Sequence, residues 1–185
     1  MEVAIVAFDE FTDIDVFLPW DILNRVKLPG WIVQIYGTSE SHISVTGLTV
    51  PVHMPIDELS HADAVLFASG PGTRKLYQDE QYLKRINVNP SEQLVTSMCS
   101  GALLLGALGL LDGKRATTYP TVKEELAQFN VNIVEESLVV ENNIATAAGC
   151  LAAQDLSFWI IEKLTNENVK NEVWQTIQPI GQKLA

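Results

Sequence analysis

Short apolar runs rich in β-branched residues alternate along this chain with segments of helical pattern, and that alternation most restricts what it can fold into. "VAIVAF" at 3–8, "WIVQIYG" ended by Gly37, "ADAVLFA" at 62–68 and "QLVTSM" read as buried strands. Helical patterns lie between and after them. One contains "PWDILNRV", with Pro19 placed early, where a missing N–H costs little. Another is "TRKLYQDEQYLKRI", and a third is the apolar helix running from Ser100. "ISVTGLTVPV" reads as a small hairpin. In the second half, "TVKEELAQF" predicts a short helix with Thr121 as cap and Glu124 at capping-box spacing. "VNIVEE" and "LVVENNIATAA" predict strands, the latter with an "ENN" turn, and "LAAQDLSFWIIEKL" and "NENVKNEVWQTIQ" predict two closing helices. Strands alternating with helices imply an α/β domain with a mostly parallel sheet covered on both faces. At 185 residues, residues 1–185 suit a single domain.

In such sheets ligands bind beyond the carboxyl ends of the strands. Three features are expected there: "DEFTDID" after the first strand, "SGPG" after the third, and Cys99 after the fourth. In "LVTSMCSGALLLGALGLL", Cys99 stands at the joint between a strand and a helix. That position exposes a side chain on a constrained backbone and aims a helix N-terminus at the sulfur, which predicts a lowered thiol pKa. The amide of Ser100, with one from the glycine loop, would stabilise negative charge on a substrate. The alternative for Cys99 is a small hydrophobe closing a core strand. For Cys150, in "AAGCLAAQDL", a core or helix-start role is the preferred reading.

Charge and composition exclude some functions. The formal net charge is −11, which repels phosphate backbones and anionic membranes, so neither nucleic acid nor membrane is expected as a partner. "MEVAIVAFDEF" lacks the basic start of a signal peptide, and "GALLLGALGLL" is too short to span a bilayer. A reducing, cytoplasmic setting without a structural disulfide is therefore expected. Two cysteines and the scattered His42, His53 and His61 give no metal-ligand spacing, so neither metal nor cofactor is expected. The three histidines read as surface or edge residues.

Four segments carry a family resemblance: "FDEFTDIDVFLPWDIL", "ASGPGTRKL", "TSMCSGALLLGALGLLDGKRATTYP" and "IATAAGCLAAQDL". Together they resemble the ThiJ/PfpI family of the class I glutamine amidotransferase-like superfamily. The resemblance implies a flavodoxin-like three-layer sandwich, a nucleophile elbow with Cys99 as nucleophile, and a carboxylate beside it. "DIDVFLPWDIL" is most similar to the isonitrile hydratase branch, which implies Asp15 as that carboxylate; Asp13 competes, and Asp9 and Glu10 read as solvated loop charges. Gly70 and Ser100 carry over as oxyanion-type donors, and Tyr119 as a substrate contact. Two departures stand out. Ser100 occupies a position where the hydratase branch often has threonine, and Tyr119 replaces a histidine seen in some relatives. The implied function is a cysteine-dependent, hydratase-like enzyme of small electrophiles, isonitriles being the named candidate. The alternatives are a glyoxalase- or deglycase-like carbonyl enzyme, or a non-enzymatic redox sensor in which Cys99 oxidises to sulfinic acid. Relatives usually form homodimers.

Overall fold

The computed structural model describes residues 1–181. Its strands in chain order are β1 (Glu2–Val6), β2 (Ile32–Gly37), β3 (Ser41–Ile43), β4 (Thr49–Pro51), β5 (Met54–Pro55), β6 (Ala64–Phe67), β7 (Leu94–Met98), β8 (Arg115–Ala116), β9 (Asn132–Ile133), β10 (Leu138–Glu141) and β11 (Ile144–Ala147). The helices are α1 (Asp13–Leu23), α2 (Thr73–Leu76), α3 (Glu80–Lys84), α4 (Ala102–Ala107), α5 (Lys123–Leu126), α6 (Ala153–Leu164) and α7 (Glu167–Ile177).

Seven strands form one sheet in the order β10-β11-β7-β6-β1-β2-β5. All pairings in it are parallel except the edge pair β10–β11, which turns at Asn142 with a left-handed φ of 58°. The expected mostly parallel sheet is thus present. Every residue of β6, β7 and β11 is buried, as is β1 after Glu2, because helices cover both faces of the sheet. Helices α1, α6 and α7 pack together on one side, and α2, α4 and α5 on the other. The expected hairpin is the antiparallel pair β3–β4. Among the described residues no helix is long and apolar enough to cross a membrane.

The chain builds β1 and β2, then crosses to the other side of β1 to lay down β6 and β7. The order reverses at β1, and the crevice at the carboxyl ends of β1, β6 and β7 follows from that reversal.

Three local expectations need correcting. Helix α1 begins at Asp13, so Pro19 stands inside it rather than near its start. The cost is tolerable because Pro19 is buried and its ring removes only one bond, the one to the Asp15 carbonyl. The "TRKLYQDEQYLKRI" segment is two short helices, because the Asp79 side chain accepts from the amides of Gln81 and Tyr82 and starts a new helix there. Thr121 caps nothing; its hydroxyl accepts from the Arg74 guanidinium at 2.9 Å, and α5 starts without a side-chain cap. Helix α4 meets expectation in its burial: Leu103, Leu104 and Leu105 are all 0% exposed. Each contributes roughly 1.5–3 kcal/mol by leaving water.

Candidate active site

Strand β7 passes into helix without a loop. Met98 is extended at φ −97° and ψ 135°, Cys99 has a left-handed φ of 45°, and a 3-10 turn over Cys99–Gly101 leads into α4. A non-glycine residue held there costs about 1–3 kcal/mol and persists only where its surroundings enforce it. Two contacts do so. The Thr118 hydroxyl donates to the Cys99 carbonyl at 2.9 Å. Gly101 lies so close to β6 that a Cβ there would sit 2.6 Å from the Ala68 carbonyl oxygen. The sulfur ends in a tight site, and Cys99 is only 3% exposed.

Asp15 enters from the first turn of α1 and is 0% exposed. The Thr12 amide donates to the Ser69 carbonyl at 2.7 Å, fixing the start of α1 against the loop after β6. The Ser69 hydroxyl then donates to Oδ2 of Asp15. Oδ1 of Asp15 is buried and has no hydrogen-bond partner. Asp13 lies outside this site, where its Oδ1 accepts from the Thr46 hydroxyl at 2.7 Å. Asp9 is largely exposed beside His42, and Glu10 pairs with Lys75.

Gly70 and Ser100 are joined to each other. The Gly70 amide donates to the Ser100 hydroxyl oxygen at 3.2 Å, and the Thr73 hydroxyl lies 2.9 Å from the same oxygen and 2.7 Å from the Gly70 carbonyl. The Gly70 amide therefore already has an acceptor. Gly70 has a φ of 148°, and a Cβ there would lie 2.2 Å from the Glu10 carbonyl oxygen, so no larger residue fits. Tyr119 is 45% exposed and stands on the rim. Together with Thr12, Ser69, Pro71 and Arg74, these residues and both cysteines line a cleft of about 280 Å³. A second groove of about 550 Å³ lies alongside, over Thr117–Pro120, Val134 and Gly149, and shares Tyr119.

Cys150 also reaches this cleft. It follows β11, which pairs with β7 so that Ala147 stands opposite Met98. The two strands thus end side by side, each in a cysteine-bearing turn. The ligating atoms of Asp15, Cys99 and Cys150 all lie within 4.8 Å of one another, and these are the described residues close enough to share a metal ion. Sequence reading did not place Cys150 here. The available signal was a shared local pattern, a short apolar strand followed within three residues by cysteine and then by an apolar helix, at both "TSMCSG" and "AAGCLA".

The electrostatics correct a second expectation. Burial pushes the Cys99 thiol well above its ordinary range; the Asp15 carboxylate and Cys150 add to the rise, and the Gly149 amide opposes it. The Cys150 thiol is pushed up to about 11 by burial and then by Asp15. The predicted lowering relied on a helix dipole. Here the helix behind Cys99 is only six residues long and begins after a 3-10 turn, while the carboxylate is in contact.

None of the three histidines lines the cleft. His42 is 2% exposed, not a surface residue: its Nε2 accepts from the Thr38 amide and its Nδ1 faces Asp9 at 3.3 Å. His53 accepts from the Ile35 amide and stacks on Trp20, and the exposed His61 pairs with Glu58.

The family model of the DJ-1/PfpI family matches residues 1–163. The chain belongs to the DJ-1/PfpI family. Within that family it is 29% identical to an isonitrile hydratase of Pseudomonas putida, over 89% of this chain and 72% of the relative. It is 27% identical to a deglycase of Pyrococcus abyssi, over 88% of this chain and 96% of the relative. Solved DJ-1/PfpI structures share the fold. A ThiJ/PfpI family protein from Pseudomonas syringae superposes with a TM-score of 0.86 at 23% identity, over 98% of this chain and 77% of that one. The DJ-1 of Schizosaccharomyces pombe gives 0.82 at 18% identity, over 97% of this chain and all of that one. The flavodoxin-like sandwich expected from the resemblance is the fold of these neighbours.

Proposed function

We propose that this DJ-1/PfpI protein is a cysteine-dependent hydratase of small electrophiles, and that isonitriles are its substrate class, converted to N-substituted formamides. One observation carries the reading. Within 4.8 Å of the Cys99 sulfur lies a fully buried carboxyl group, Asp15, with one oxygen held by Ser69 and the other unpartnered. A thiol and a carboxyl can add S–H across the terminal carbon of an isonitrile, and no histidine is needed. Hydrolysis of an amide would need a Cys-His pair to move protons onto a leaving amine.

The steps follow from that pair. As the Cys99 sulfur bonds to the terminal carbon, its proton passes through Asp15 to the same carbon, giving an enzyme-bound thioimidate. Asp15 then accepts a proton from water as the water oxygen attacks that carbon, and relays it to nitrogen. The tetrahedral adduct collapses: the C=O bond forms, the C–S bond breaks, and the hydroxyl proton returns through Asp15 to the Cys99–Asp15 pair. The raised thiol suits this scheme, since the proton delivered to substrate is the one the sulfur holds at rest. Ser100 and Gly70 shape the wall nearest the sulfur, and Tyr119 meets the substituent on nitrogen.

A second reading, a glyoxalase- or deglycase-like carbonyl enzyme, is favoured by the match to a deglycase over nearly all of that relative's length. A panel of isonitriles, methylglyoxal and acyl amides, run on wild type and Cys99→Ala, separates the two. The proposal includes a cytoplasmic homodimer whose only other partner is its substrate, with light scattering as the test of assembly. Its net charge of −11 supports the exclusion of nucleic acid and anionic membranes.

A further inference from the structure

We propose that Cys150 is a resolving cysteine: after Cys99 is oxidised by a hydroperoxide, Cys150 captures it as a reversible Cys99–Cys150 disulfide. This assignment stands whether or not Cys99 also hydrates isonitriles.

Two observations carry it. The two sulfurs lie within 4.8 Å of each other, and both cysteines line the same cleft. The backbone brings them together by design of the sheet. Ala147 and Met98 are register partners on adjacent parallel strands, so the two turns that follow begin about one strand spacing apart. A disulfide there requires the two Cα atoms to come to roughly 4.4–6.8 Å apart, which side-by-side turns make reachable.

The chemistry balances without a metal. A hydroperoxide ROOH transfers OH to the Cys99 sulfur; the O–O bond breaks, sulfenic acid forms, and ROH leaves with the thiol proton. The Cys150 sulfur then attacks the Cys99 sulfur. An S–S bond forms, the S–O bond breaks, and the hydroxyl departs as water with the proton of the Cys150 thiol. The Asp15 carboxyl group, fully buried and within 4.8 Å of both sulfurs, is positioned to carry that proton. The two electrons lost by the thiol pair are those that reduced the peroxide. A thiol reductant restores both cysteines and is itself oxidised to a disulfide. Without a second sulfur, the sulfenic acid would go on to sulfinic acid, which thiols do not reverse.

The test uses the full chain, reduced and then exposed to a small excess of hydrogen peroxide. Free thiols are blocked, and peptides are mapped without reduction by mass spectrometry. Wild type should yield the Cys99 peptide joined to the Cys150 peptide, with both thiols lost and both recovered by dithiothreitol. In Cys150→Ser, Cys99 should carry two added oxygens that dithiothreitol does not remove, and that fraction should rise several-fold over wild type. Wild type forming sulfinic Cys99 as readily as the variant, with Cys150 still open to alkylation, would overturn the proposal. So would a bridge that joins two chains, seen as a reducible dimer on a denaturing gel. The wild-type map decides the matter even if the variant fails to fold.

Discussion

The Ser69 hydroxyl donates to Oδ2 of Asp15, while Oδ1 of the same fully buried carboxyl group is unpartnered, and the group lies within 4.8 Å of two sulfurs. Ser69 thus holds the carboxyl group by one oxygen beside the thiols. In Ser69→Ala, Oδ2 loses its donor as well, leaving neither oxygen of this buried carboxyl group with a protein hydrogen bond. A buried group left unsatisfied costs about 1–3 kcal/mol, so the unfolding free energy should fall by that much and the urea midpoint should fall with it. An unchanged midpoint would mean that Asp15 is held by other contacts.

Gly101 makes the elbow possible. In Gly101→Ala the new methyl group would meet two backbone carbonyl oxygens, those of Ala68 at 2.6 Å and Phe67 at 2.8 Å. Neither can rotate away, so β6 and the Cys99 turn must separate. The expected loss is about 1–3 kcal/mol of stability, with a larger proportional loss of Cys99-dependent turnover, because the turn that moves carries the sulfur. Urea unfolding and steady-state rates on the same preparation check both.

The thiols should titrate high. Burial is the largest cause for both, and the Asp15 charge is second. Each raised value favours the neutral thiol, so alkylation by iodoacetamide at pH 7–8 should be slower for either cysteine than for a free one, whose pKa is about 8.5. The Cys150 profile should rise through its midpoint near pH 11. Asp15→Asn removes the charge and leaves the burial, so both profiles should shift to lower pH without reaching the free-cysteine value. Site-resolved mass spectrometry across pH measures this. A Cys99 profile centred well below the free value would show that the turn's amides outweigh burial and carboxylate together.

Tyr119 stands where the Cys99 cleft meets the larger groove. Its hydroxyl makes no hydrogen bond to the described residues and the residue is nearly half exposed, so Tyr119→Phe should change little. Tyr119→Ala should raise KM for isonitriles with bulky substituents and leave kcat within a few-fold. Equal effects on small and bulky substrates would argue against its contact with the substituent.

Much of this was readable from the chain because it depended on local pattern. The strands β1, β6 and β7 are short apolar runs, and the joint at Cys99 is a strand running straight into a helix. Asp15 and Asp13 could not be separated by composition, since both fall in the first turn of α1; only burial and the Ser69 contact distinguish them. Pro19 misled because it suits a helix start so well, yet tertiary packing carries α1 through it. Cys150 was missed for a different reason. Its neighbourhood depends on β11 lying beside β7, a pairing between segments about fifty residues apart that no local periodicity encodes. His42 looked like an edge residue, but its buried ring packs against Gly37 at the end of β2 and accepts from the Thr38 amide.

The central claim is that Cys99 and Asp15 act as one proton-sharing pair on an isonitrile. Its most direct test is initial-rate isonitrile hydration by wild type, Cys99→Ala, Asp15→Asn and Asp13→Asn, with folding of each checked by circular dichroism. Acid–base help of this kind is typically worth about 10²–10⁴-fold, so Asp15→Asn should lose that much, Cys99→Ala should lose all turnover, and Asp13→Asn should stay near wild type. A wild-type rate no higher than that of Cys99→Ala would contradict the account.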